Sequence, residues 1–130
     1  MHPICDKLVR VFEEALYQTG EVAFPLQEIH KERLNTIVKT VYANYYEVDR
    51  FPGLKEKASA FFYLIIKNHP LTDGNKRLSV MWLRVFCRDN ELEFDIEDHI
   101  PLDELAISVE RTTLGLEDAI PYIQGALWNQ

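Results

Sequence analysis

Cysteine is scarce in this 130-residue chain: Cys5 and Cys87 stand far apart, with no CxxC pairing. That argues against a disulfide framework and against a cysteine-based metal site, and it leaves two reduced thiols of an intracellular protein, with Cys87 expected on a buried helix face. Basic residues are also few. Fourteen Lys and Arg against 21 Asp and Glu give a formal net charge of -7 and a pI near 5.0. Nucleic acid is held mainly by clustered Lys and Arg, so no nucleic-acid binding is expected of this domain, and any phosphate it holds is held locally. No apolar stretch approaches the roughly 18 residues of a membrane span, and MHPICDKLVR lacks the basic segment and apolar run of a signal peptide. A cytoplasmic protein with no membrane partner is the expectation. Repeats and low-complexity tracts are missing too, and strand-like alternation is almost absent.

What is present is helical periodicity in a chain 47% hydrophobic and 27% charged, the balance of one globular domain spanning 1–130. Ile4, Leu8, Val11, Phe12, Ala15 and Leu16 share one face of a helix that Gly20 would end. Leu34, Ile37, Val38, Val41 and Tyr42 repeat the spacing over about His30 to Tyr45. Tyr46, Glu47, Val48, Asp49, Arg50 and Phe51, followed by the turn pair Pro52 and Gly53, suggest a short extended segment or hairpin. LKEKASAFFYLIIKN, residues 54 to 68, is apolar nearly all round in its second half and reads as a helix buried on most sides. NKRLSVMWLRVFCRDN, residues 75 to 90, carries another deeply buried face. After the irregular ELEFDIEDH, Pro101 followed by acids starts a further helix, and a last one runs from about Leu116 to Leu127. The expected fold is all-α: a compact bundle of about six to seven helices around two buried central ones, with a possible β-hairpin.

Polar residues able to do chemistry concentrate in the loop joining those two helices, His69-Pro-Leu-Thr-Asp-Gly-Asn-Lys-Arg77. Pro70 ends the first helix and is expected to hold His69 extended at the lip of the core. Asp73, Gly74 and Asn75 open the second helix, whose first N–H groups lack intrahelical partners. Such a terminus binds phosphate, the more so where Gly74 permits close approach and Lys76 and Arg77 add charge. A histidine suited to proton exchange, a hard oxygen ligand and an anion cradle within nine residues fit phosphoryl-group transfer.

The same stretch resembles the signature of the Fic/Doc (fido) family, which His69, Asp73, Gly74, Asn75 and Arg77 match in order. Leu71 replaces the usual Phe. The resemblance covers most of the chain and is nearest the short death-on-curing (Doc) branch. It implies a cytoplasmic enzyme that moves a phosphate-containing group from ATP or another nucleotide, with Mg²⁺, onto a hydroxyl of a target protein. By position, His69 would be the base, Asp73 the Mg²⁺ ligand, and Gly74, Asn75, Lys76 and Arg77 the phosphate site. Tyr46 to Phe51 would be the flap that aligns the target chain. Adenylylating members carry a second Gly where this chain has Lys76, and a further Arg where it has Val80. That tilts the resemblance towards the Doc-like protein kinases, which act on a translation factor, with adenylylation as the alternative. A toxic member without an inhibitory helix would need an antitoxin in trans. The nearest match to such a helix is the segment from Thr113 to Asp118, and it is poor.

A catalytically inactive fido-fold binding module is the competing class, and a Lys76 paired with Asp73 would favour it. His2, His30 and His99 have no ligand spacing and read as surface residues. Trp82 and Phe86 read as core, and Arg84 as a surface ion-pair residue rather than a displaced phosphate arginine.

Overall fold

The computed structural model describes residues 2–19, 26–94 and 100–128, with side chains described from 2–14, 26–94 and 102–128. Among these the elements are α1 (Pro3–Thr19), α2 (Glu28–Val41), β1 (Asn44–Tyr45), β2 (Val48–Asp49), α3 (Leu54–Asn68), α4 (Asn75–Asp89), α5 (Ile100–Arg111) and α6 (Leu116–Trp128). The fold is all-α with one two-stranded antiparallel hairpin, in which Asn44 pairs with Asp49 and Tyr45 with Val48. Gly20 and His99 lie outside the described residues.

α3 is the axle. It packs against α2, α4, α5 and α6. Phe61, Phe62, Ile65 and Ile66 are each at most 1% exposed, so its apolar second half is surrounded, as a helix hydrophobic all round must be. Phe61 sits edge-on to Trp82 and Phe86 of α4, at centroid distances of 5.5 and 5.3 Å. Truncation of such a ring costs about 3–5 kcal/mol. Cys87, Trp82 and Phe86 are all buried on α4, as their spacing suggests.

Two clamps hold α3 to its neighbours. Lys67 Nζ donates to the carbonyls of Glu110 and Thr112, at 2.9 and 2.7 Å, and so satisfies acceptors at the end of α5 that no helical N–H can reach. Lys57, buried near the start of α3, donates to the Phe51 carbonyl, lies 3.7 Å from Asp49 and sits over the Tyr42 ring. That lysine ties the hairpin to the N-terminal end of α3.

α2 ends at Val41 rather than Tyr45, because Asn44 and Tyr45 pair into the hairpin instead. Its turn is unusual: Tyr46 and Glu47 both have positive φ, 53° and 66°, a backbone normally supplied by Asn-Gly.

Candidate active site

α3 and α4 run into one short loop, and the chain there is pinned at several points. Leu71 is 4% exposed and anchors the loop in the core. Asn75 brackets it: Oδ1 accepts the Leu71 N–H at 2.9 Å and Nδ2 donates to the Leu71 carbonyl at 3.1 Å. Asp73 Oδ1 accepts the N–H of Gly74 at 2.8 Å. Gly74 then starts α4 at φ 84°, with Phe12 of α1 3.8 Å from where a Cβ would stand. A side chain fits the space, but the left-handed backbone favours glycine.

His69 departs from the expected extended conformation. It caps α3 in the left-handed region, φ 46° and ψ 60°. Pro70 does terminate the helix, yet the terminating residue turns as helix C-caps commonly do, a position usually taken by glycine. Residues held in such a sparsely populated region cluster where a site needs them. The turn leaves the imidazole exposed, beside the open end of α4.

His69, Thr72, Asp73, Gly74, Asn75, Lys76 and Arg77 line one cleft of about 730 Å³, together with Ile66 and Glu110. The first turn of α4 contains no acid. Lys76 and Arg77 add positive charge near the positive end of the helix dipole, a setting that favours an anion. The Leu78 N–H donates to the Gly74 carbonyl at 2.9 Å.

Lys76 does not pair with Asp73. Its Nζ lies 3.3 Å from Glu110 of α5, so the Asp73 carboxylate is not consumed by it. Glu110 escaped sequence reading because it comes to the cleft from a different helix, 34 residues on. His30 also needs correction: it is buried, not a surface residue, and its Nε2 meets Thr72 Oγ1 at 3.1 Å. Its position on the stripe of Leu34, Ile37, Val38 and Val41 was the available signal. His2 is partly buried, stacked on Tyr42.

Tyr46, Glu47, Val48, Asp49, Arg50 and Phe51 are not brought to this cleft. They precede α3, whose 15 residues at 1.5 Å each span about 22 Å and lead to His69 at the other end. Arg50 is bonded to Glu117 of α6 and Phe51 is buried. Glu117 is not among the residues that line the His69 cleft. Arg84 lines a separate cleft with Cys87 and Arg88.

For Mg²⁺, the donor set matters. No cluster of three or more His, Cys, Asp or Glu suited to a metal occurs among the described residues. A single carboxylate, Asp73, beside an anion cradle fits a cation that usually takes one or two carboxylates together with substrate phosphates and water.

A model of the Fic/DOC family matches residues 6–87. The chain is 31% identical over 90 residues to "Toxin Doc" of Mycolicibacterium smegmatis, covering 65% of this chain and 69% of that protein. No solved structure gives a significant match. With the motif, the helix pair that frames it and the family match in agreement, the chain belongs to the Fic/DOC family.

Proposed function

We propose that this protein transfers the γ-phosphoryl group of a nucleotide, ATP in the first instance, to a hydroxyl of a target protein. The observation that carries this reading is that His69 and the anion-receptive first turn of α4 line the same cleft. In the proposed reaction the target hydroxyl oxygen bonds to the γ-phosphorus, the bond to the bridging oxygen of ADP breaks, and a ring nitrogen of His69 takes the hydroxyl proton. The N–H groups of Asn75 and Lys76, with the side-chain charges of Lys76 and Arg77, hold phosphate oxygens. Asp73 would hold Mg²⁺, which neutralises phosphate charge when bound. The Asn75 side chain, committed to Leu71, shapes the cradle.

Val80 supports phosphorylation over adenylylation. Where adenylylating relatives present a second guanidinium, this chain has a side chain only 9% exposed, which offers nothing to a second phosphate. The Lys76–Glu110 pairing supports an enzyme over an inactive binding module, because Asp73 stays available to the cleft. The name of the mycobacterial relative extends the proposal to a Doc-like toxin, and the resemblance of the motif to the Doc branch adds a translation factor as target and an antitoxin as partner. No described helix is long and apolar enough to cross a membrane, in keeping with the cytoplasmic location we infer for the pair.

The test is incubation with Mg²⁺, a bacterial lysate and ATP labelled on either its α- or its γ-phosphate. Label arriving from γ alone supports the kinase; label arriving from α replaces it with adenylylation.

A further inference from the structure

His30 sits in the first turn of α2 and is 8% exposed. Its ring is engaged on both sides. The Gln27 N–H donates to Nδ1 at 3.0 Å. A backbone N–H can only donate, so Nδ1 carries the lone pair and the proton of the neutral ring is on Nε2. Nε2–H then donates to Thr72 Oγ1 at 3.1 Å. A threonine hydroxyl has one proton, and with its oxygen already accepting from His30 that proton must go to another acceptor. Thr72 lines the same cleft as His69, Lys76 and Arg77.

We propose that Thr72 is a phosphate-binding hydroxyl of this cleft and that His30, reaching it from a helix 42 residues away in sequence, is its positioning residue. The proposal rests on reading the cleft as a nucleotide phosphate site, and it adds a donor to the main-chain groups there. A hydroxyl fixed by a buried ring needs no reorientation when an anion arrives, whereas a surface threonine must give up rotamer freedom first. The Gln27 N–H sets the tautomer, the tautomer sets which way the hydroxyl bond runs, and the start of α2 thereby helps prepare the loop between α3 and α4.

The test is isothermal titration calorimetry of the full chain with Mg²⁺ and each of ATP, GTP, CTP and UTP. Thr72→Val keeps the shape and removes the donor; since Thr72 is exposed, the variant is expected to fold, and its melting temperature checks this. Nucleotide affinity should fall about tenfold or more, the usual effect of losing a hydrogen bond to a charged acceptor. Thr72→Ser should restore it, and His30→Ala should weaken binding with Thr72 in place. Long-range ¹H–¹⁵N spectra should show His30 protonated on Nε2 in both the wild type and Thr72→Val, which a purely space-filling His30 would not require. Equal nucleotide affinity of wild type and Thr72→Val overturns the contact, and a His30 protonated on Nδ1 overturns the positioning. If the wild type binds none of the four nucleotides, the phosphate-site reading falls, and this contact falls with it.

Discussion

Asn75 holds Leu71 by both main-chain groups at once, accepting its N–H at 2.9 Å and donating to its carbonyl at 3.1 Å. The residue that opens α4 therefore also shapes the loop that carries Thr72 and Asp73, and it places the His69 turn against the helix terminus. Asn75→Ala removes both bonds. Each partner left without a bond costs about 1–3 kcal/mol, so denaturant unfolding should show a loss of that order, and nucleotide binding should weaken with it. Asn75→Asp keeps the acceptor but sets a carboxylate against the Leu71 carbonyl, and should be no better than Ala.

Glu110 works against the proposed ligand. It shares the cleft and holds Lys76 at 3.3 Å, with both side chains nearly half exposed. Such a pair contributes about 0–1 kcal/mol to stability. Glu110→Gln should leave the melting temperature almost unchanged and raise affinity for Mg²⁺-nucleotide several-fold at low salt. The gain should shrink as ionic strength rises. Calorimetric titrations at two salt concentrations check both parts.

The hairpin stands at the far end of α3 from His69, and its attachment runs through Lys57. Replacing Lys57 with Met breaks the bond to the Phe51 carbonyl and should lower stability by about 1–3 kcal/mol. Because residues 46–51 are not at the cleft, the variant should bind nucleotide as the wild type does. A matching loss of affinity would show that the hairpin and the cleft are coupled.

Cys5 and Cys87 are both buried free thiols. Burial raises the Cys5 thiol and pushes Cys87 up to about 12 from an ordinary 9.0. The unfolded chain thus ionises first, so the stabilisation is whole below about pH 9 and is lost as pH climbs towards 12. Tyr42, raised by burial as well, acts in the same direction. Thiol reagents at pH 8 should label neither cysteine in the native protein and both in denaturant. Cys87→Ala should flatten the alkaline fall in stability measured by chemical denaturation.

The framework of the site was legible in the sequence because its limits are set locally. A continuously apolar run stopped by Pro70, and a helix started at Gly74, gave α3 and the start of α4 correctly. The loop chemistry lay within nine residues of those marks. What escaped depends on contacts between distant segments. Glu110 and His30 are polar residues on amphipathic helices, and only packing brings them to the loop. The place of Tyr46 to Phe51 was not legible either: they precede α3 in sequence, and only the folded chain shows that they do not line the cleft that holds His69. The His69 turn was misjudged because the preference of a residue before proline is statistical, while the cap of α3 demanded a left-handed residue there.

The most direct measurement of the central claim compares wild type and His69→Ala for transfer of γ-labelled phosphate to protein in a bacterial lysate with Mg²⁺. Both proteins should melt alike, because His69 is exposed. Removing a general base should lower transfer about 10²–10⁴-fold while nucleotide binding persists. Transfer undiminished by His69→Ala, or no transfer of the γ label by the wild type, would contradict the account.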